Sequence, residues 1–149
     1  MECVVCATRG GEGSRAAQEA AIRRARQERK PLVFLYVTAP DSLGDVDEQL
    51  IPAIRQELNW MGQTLLQVAK SRSEAAGLKA SVEIREGNVQ LEIERFLQES
   101  HAVVLILGAP RGQTANVFGD DAVEQFAQTI QTDTGIPVQV IYPDSESDD

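Results

Sequence analysis

The sequence predicts an α/β fold in which five strands form a mainly parallel, doubly wound sheet with helices on both faces. Short runs rich in Val, Ile, Leu and aromatic residues alternate with longer segments in which apolar residues recur every three or four positions. Three of the short runs are continuously apolar, as strands covered on both faces should be. At 149 residues the chain can bury a core of its own, so we expect one domain over 1–142.

The five predicted strands are of two kinds. They lie at 3–8, 31–38, 81–86, 102–108 and 136–142. The runs "CVVCAT", "PLVFLYVT" and "AVVLILG" are continuous and predict central strands. The run "SVEIRE" alternates apolar and polar residues, and "IPVQVIY" alternates weakly and carries Pro137 near its start. Both features are typical of strands at a sheet edge.

Four helices are predicted between the strands, at about 14–29, 49–76, 89–100 and 120–132. Ser14 is the expected N-cap of the first helix. Its inner face would use small residues that allow close packing on the sheet, namely Ala17, Ala20, Ala21 and Ala25.

The second helix is predicted to be long. Its apolar positions recur with helical spacing at Leu50, Ile54, Leu58, Met61, Leu65 and Val68. Pro52 fits only in the first turn, and Gly77 is expected to end the helix. The third helix is expected to bury Val89, Ile93, Phe96 and Leu97, and the fourth Val123, Phe126, Ala127 and Ile130 before Gly135 turns the chain.

Charge is distributed unevenly along the chain. The net charge is −9, and the segment 143–149, "PDSESDD", contributes four carboxylates and is expected to be a disordered acidic tail. The segment 14–30 sums to +4, which indicates a solvated helix face or a local basic patch. The acidic balance argues against nucleic-acid binding. The absence of a long apolar run or signal-like N-terminus predicts a cytoplasmic protein with no membrane contact.

The two cysteines, Cys3 and Cys6, fall within one predicted strand. Side chains alternate between the faces of a strand, so residues three apart point to opposite sides. This spacing favours two buried core residues over a shared disulfide or metal site, and no metal ligands are predicted.

Two glycine-rich turns follow strands: "TRGGEGSRA" after the first and "GAPRGQTANVFGDD" after the fourth. Glycine lets backbone N–H groups approach an anion, and the next helix presents unpaired donors. Gly11, Gly13 and Ala16 formally satisfy a dinucleotide fingerprint, but the acidic residue required after the second strand is replaced by Val37 and Thr38. No Walker lysine is present.

The chain resembles the universal stress proteins over nearly its whole length, from Glu2 to Tyr142. The segments that carry the resemblance are "CVVCATRGGEGSRAAQEA", "PLVFLYV", "HAVVLILGAPRG" and "IPVQVIY". The resemblance implies a five-stranded parallel sheet of order 3-2-1-4-5, a Rossmann-like, adenine nucleotide alpha hydrolase-like fold. It also implies a homodimer through the last strand, 136–142. An exposed edge strand favours such pairing independently.

We expect that the protein requires no cofactor. The alternative, which the resemblance implies, is a site that binds ATP or AMP with magnesium. If a nucleotide binds, the residues expected to hold it are Thr8, Arg9, Gly10, Val37, Leu107, Gly108, Gly112, Asn116, Gly119 and Asp120. Backbone groups near Val37 and Leu107 would hold base and ribose. Asn116 would contact ribose or phosphate, or simply serve the turn.

The chain departs from the nucleotide-binding pattern of the family. Three residues, not two, separate Gly108 from Gly112, and six, not nine, separate Gly112 from Gly119. The hydroxyl position that follows is Asp120, with Asp121 next. Carboxylates at a helix start occupy the N–H donors that a phosphate needs and repel it.

Arg9 stands where the family has an aspartate, and three roles remain open for it. It is a surface charge, an ion-pair partner of Asp120 or Asp121 across the cleft, or a phosphate ligand. Arg111 is expected to be exposed.

No catalytic residue is predicted. His101, even with Ser100 adjacent, lacks a carboxylate or nucleophile partner in the sequence pattern. Tyr36 and Trp60 are interpreted as packing residues.

The sequence leaves three functions open. The first is a non-enzymatic, dimeric, stress-response or regulatory module with ATP binding weakened or lost. The second is a nucleotide-binding switch or slow ATPase in which Arg9 holds phosphate. The third is an adaptor whose acidic tail or Arg-rich helix binds a protein partner.

Overall fold

The computed structural model describes residues 2–8, 12–39, 47–109 and 122–142. Within these ranges five strands form one parallel sheet in the order β3-β2-β1-β4-β5. The strands are β1 (Cys3–Ala7), β2 (Leu32–Thr38), β3 (Ala80–Glu86), β4 (Ala102–Gly108) and β5 (Val138–Ile141). The predicted fold class and strand order are confirmed, and the two strands with alternating sequences are the edges. The acidic segment 143–149 lies outside the described residues.

Among the described residues, four helices cover the two faces of the sheet. They are α1 (Glu12–Glu28), α2 (Ile51–Ala75), α3 (Val89–Glu99) and α4 (Ala122–Thr134), and a 3₁₀ turn, Glu48–Leu50, precedes α2. The helices α1 and α2 share one hydrophobic cluster with the sheet, and α3 and α4 share the other. Cys6 belongs to the first cluster and Cys3 to the second, as the alternation of a strand requires.

Local signals explain most helix boundaries. Asn88 caps α3, because its side chain accepts a hydrogen bond from the N–H of Leu91 at 3.0 Å. Pro52 lies in the first turn of α2, and Gly77 follows that helix at φ +86°, a conformation that glycine adopts without strain. The prediction for Ser14 is wrong, because α1 begins at Glu12 and Ser14 lies inside the helix.

The predicted inner face of α1 is confirmed, and that of α2 is displaced. Ala17, Ala20, Ala21 and Ala25 are all buried. The buried residues of α2 are Gly62, Leu66, Ala69 and Ser73. The buried residues follow those of the predicted apolar stripe, which contains Met61 and Val68, by one position. The buried side therefore lies roughly 100° around the helix axis from the stripe. Small residues let α2 approach the sheet more closely than the stripe would.

The two aromatic residues interpreted as packing residues differ in outcome. Tyr36 packs against the cluster beneath α1 and α2. Trp60 is 64% exposed on the outer side of α2, so that interpretation is wrong. Of the described helices, none combines the length and the apolar character needed to cross a membrane.

Candidate functional site

The predicted site lies at the carboxyl ends of the parallel strands. From β1 the chain adds β2 and then β3 on one side of the sheet, and it afterwards adds β4 and β5 on the other side of β1. The strand order therefore reverses between β1 and β4. Ala7, at the end of β1, pairs with Leu35 of β2 and with Leu107 of β4. In open parallel sheets ligands bind beyond the strand ends at this reversal point.

Four of the predicted site residues fall within the described ranges. Thr8 directly follows β1, and Leu107 and Gly108 end β4, so the structure brings these three residues together at neighbouring strand ends. Val37 lies on β2, two residues after Leu35, which pairs with Ala7. It packs against the hydrophobic cluster beneath α3 and α4.

The other six predicted site residues lie outside the described residues. They are Arg9, Gly10, Gly112, Asn116, Gly119 and Asp120. The expected ion pair between Arg9 and Asp120 or Asp121, and the exposure of Arg111, therefore stay predictions.

Two buried threonine hydroxyl groups lie at the carboxyl ends of the strands. Thr8 is buried, its N–H donates to the carbonyl of Leu35 at 2.9 Å, and its Oγ1 accepts from Nε2 of Gln18 at 2.8 Å. Thr38, also buried, ends β2 and donates from Oγ1 to the carbonyl of Arg85 at 3.4 Å.

Gln18 connects the site to α2, and sequence reasoning missed this connection. Its side-chain oxygen accepts from the Arg72 guanidinium at 2.6 Å, so a chain of two side-chain hydrogen bonds runs from Arg72 through Gln18 to Thr8. A buried amide needs such partners. The signal was available, because Gln18 is the polar residue inside the alanine-rich inner face of α1.

Ser100 and His101, to which the sequence assigns no catalytic role, lie at the other end of the strands. His101 is exposed and directly precedes β4, which places it at the amino end of the strands. The hydroxyl of Ser100 donates to the carbonyl of Phe96 at 2.7 Å, within the last turn of α3.

The cysteines are core residues rather than a reactive pair. Both thiols are free and buried, and burial raises the pKa of Cys6 to about 12. In the described ranges no cluster of His, Cys, Asp and Glu side chains is arranged to hold a metal ion.

Comparison with known proteins agrees with this architecture. A search of curated protein sequences finds no match. UspA from Lactobacillus plantarum superposes with a TM-score of 0.72 at 17% identity, over 93% of this chain and 97% of that one. A universal stress protein family protein from Arabidopsis thaliana, solved with AMP bound, gives 0.69 at 15% identity, over 97% and 94%. A universal stress protein in complex with cAMP gives 0.59 at 19%, over 96% and 98%.

Structural likeness at these identities shows the fold alone. The sequence itself matches the universal stress protein family over residues 1–141, which is nearly the whole chain. This chain belongs to the universal stress protein family.

Proposed function

We propose that this protein is a non-enzymatic, stress-response or regulatory module that works as a dimer through β5 and binds ATP weakly or not at all. The observation that carries the proposal is the position of β5, which ends the sheet and has β4 as its sheet neighbour. An edge strand presents a row of backbone groups to a second strand, and a two-fold copy of itself is a suitable partner.

The hydrogen bonds of β5 identify which residues face the free edge. The carbonyls of Pro137 and Ile141 accept from the N–H groups of Leu105 and Ala109, at 3.0 and 2.8 Å. Alternate residues of a strand direct their backbone groups to opposite sides, so Val138 and Val140 direct theirs outward. The N–H of Val138 donates to the Gln131 side chain at 3.0 Å. Val140 therefore offers the outward N–H best placed for a partner strand.

The dimer is tested by placing a proline at this outward position. Val140→Pro removes one N–H at the free edge and leaves the ladder with β4 in place. We expect light scattering to report a dimer for the wild type and a monomer for the variant. The matched control is Val82→Pro on the opposite edge strand, β3, which should stay dimeric. A variant at Val140 with unchanged mass would contradict the dimer interface.

Weak ATP binding is supported by sequence. Asp120 stands where the nucleotide-binding pattern has a hydroxyl residue, Asp121 follows it, and the loop before them is shorter. Two carboxylates near the phosphate position oppose its binding electrostatically. We expect calorimetry with ATP and magnesium to give a dissociation constant above about 100 μM.

A nucleotide-binding switch or slow ATPase is the second candidate. It is favoured by the relatives solved with AMP and with cAMP, and by the site at the reversal point of the same sheet. In this function Arg9 would hold phosphate, and Thr8, Leu107 and Gly108 would line the nucleotide. Binding tighter than about 100 μM that Arg9→Ala abolishes would establish it in place of the first.

A further inference from the structure

An arginine-lined groove separates α1 and α2, on the outside of the sheet face that these helices cover. Its volume is about 820 Å³, and the arginines that line it are Arg15, Arg23, Arg26 and Arg72. Ile22, Ala75 and Ala76 contribute apolar surface to the same groove. We call this feature the arginine groove. Its lining combines arginine side chains with apolar residues.

The arginine groove carries positive charge that its surroundings do not neutralise. Glu19 is the acidic residue of the lining, and it pairs with Arg15 at 3.4 Å. Within the part of the chain that the structure describes, neither Arg23 nor Arg26 forms an ion pair. This is unexpected in a chain with 23 acidic and 14 basic residues.

Arginines of both helices line the arginine groove. Arg23 and Arg26 are three residues apart in α1 and lie on neighbouring turns of one helix face. Arg72 lines the groove from α2, and its guanidinium is held by the side-chain oxygen of Gln18 at 2.6 Å. A side chain already held in place loses less conformational entropy when it binds. Guanidinium groups bind carboxylates through paired N–H donors.

We propose that the arginine groove is a docking site for an acidic peptide segment of a partner protein. Carboxylates of the segment would bind Arg23, Arg26 and Arg72, and its small apolar side chains would cover Ala75 and Ala76. A nucleic acid fits less well, because it brings few aliphatic groups to the apolar part of the lining and needs a longer positive track than this chain of net charge −9 offers. The proposal does not depend on nucleotide binding or on dimerisation.

The test uses a fluorescein-labelled peptide of alternating glutamate and alanine, with a glutamine–alanine peptide of the same length as its uncharged control. Fluorescence anisotropy with the full chain at low salt should give a dissociation constant below about 1 mM for the glutamate peptide, and no binding of the control. At about 1 M salt, where the Debye length falls to about 3 Å, the glutamate peptide should be released.

Two matched double variants locate the site. Arg23→Gln/Arg26→Gln removes two charges from the groove, and Arg55→Gln/Arg95→Gln removes two from elsewhere on the surface, so both have the same net charge. The groove variant should bind the glutamate peptide about tenfold more weakly, since it loses two ion pairs that are each weak at an exposed site. The control variant should bind as the wild type does. Circular dichroism checks that both are folded.

Three outcomes would overturn the proposal. The two double variants could bind the peptide equally, which would assign binding to net charge. The glutamine peptide could bind as well as the glutamate peptide. Alternatively, a single-stranded oligonucleotide could bind more tightly than the peptide and lose affinity in the groove variant, which would identify a nucleic-acid site.

Discussion

The helices α1 and α2 lie side by side on one face of the sheet, but they meet it in different ways. In α1 the apolar face and the buried face coincide, and Ala17, Ala21 and Ala25 are fully covered. In α2 the two faces differ. Met61 and Val68 of its apolar stripe are 46% and 44% exposed, whereas the side that packs carries Gly62, Leu66, Ala69 and Ser73.

The difference shows that steric fit, more than hydrophobicity alone, selects the side of α2 that packs. A Cβ atom added at Gly62 would lie 2.5 Å from Cδ2 of Tyr36 and 2.7 Å from Cδ1 of Ile84. Only glycine allows the backbone of α2 to come this close to β2 and β3. In α1 the small residues and the apolar residues are the same alanines, so both criteria select one face.

The largest expected effect on stability separates the buried side of α2 from its exposed apolar stripe. Leu66→Ala should lower the free energy of unfolding by about 3 kcal/mol, because it opens a cavity in the core. Val68→Ala, in the same helix and on the exposed stripe, should change it by less than about 0.5 kcal/mol. Urea denaturation measures both. Similar losses for the two variants would contradict the assignment of Leu66, and not Val68, to the side that packs on the sheet.

The second prediction concerns the close approach at Gly62. Gly62→Ala should destabilise the fold by about 2 kcal/mol through overpacking, although alanine raises helix propensity by about 1 kcal/mol. The exposed neighbour provides the control, since Gln63→Ala should be nearly neutral. In a Tyr36→Leu background the cost of Gly62→Ala should fall, because the ring that the new methyl group meets is gone. A stabilised Gly62→Ala variant would disprove the tight contact.

The polar link between the helices gives the third prediction. Gln18→Ala removes both hydrogen bonds of the chain from Arg72 to Thr8 and leaves the buried Thr8 hydroxyl without its donor. A loss of about 1–2 kcal/mol in unfolding free energy is expected, measured by urea denaturation. Gln67→Ala, an amide on the exposed side of α2, is the matched control. Equal effects for the two variants would mean that the buried link contributes nothing.

The smallest expected effect on stability concerns Glu94, on the sheet face that α3 and α4 cover. Partial burial and a hydrogen bond with Asp133 raise the pKa of Glu94 above its ordinary value of 4.5, and this contact joins α3 to α4. A carboxyl whose pKa is raised by folding favours the folded state most at low pH, and this contribution is lost as the pH rises through the folded-state pKa.

Glu94→Gln should therefore raise the melting temperature at pH 7 by about 1–2 °C, equivalent to about 0.5 kcal/mol for this partly exposed group. Below pH 4.5 the difference should vanish. Calorimetric scans at the two pH values test the prediction, with Glu57→Gln on α2 as the control. A gain that is equal at both pH values would assign the effect to something other than titration.

The sequence by itself determined the order and type of the elements. The continuous apolar runs became β1, β2 and β4, and the alternating runs became the edge strands β3 and β5. These features are local, since the alternation of a strand and the spacing of a helix are properties of consecutive residues. Pro52, Gly77 and Gly135 could be placed for the same reason, because their backbone preferences act within one turn.

The tertiary structure alone decided which side of α2 packs and which polar groups meet. The hydrogen bond between Arg72 and Gln18 joins residues 54 positions apart, and Gly62 meets Tyr36 and Ile84 only after α2 packs on β2 and β3. Such contacts depend on the distances between elements, which no sequence period encodes. The arginine groove has the same origin, because its charges come from two helices that are neighbours only in the folded chain.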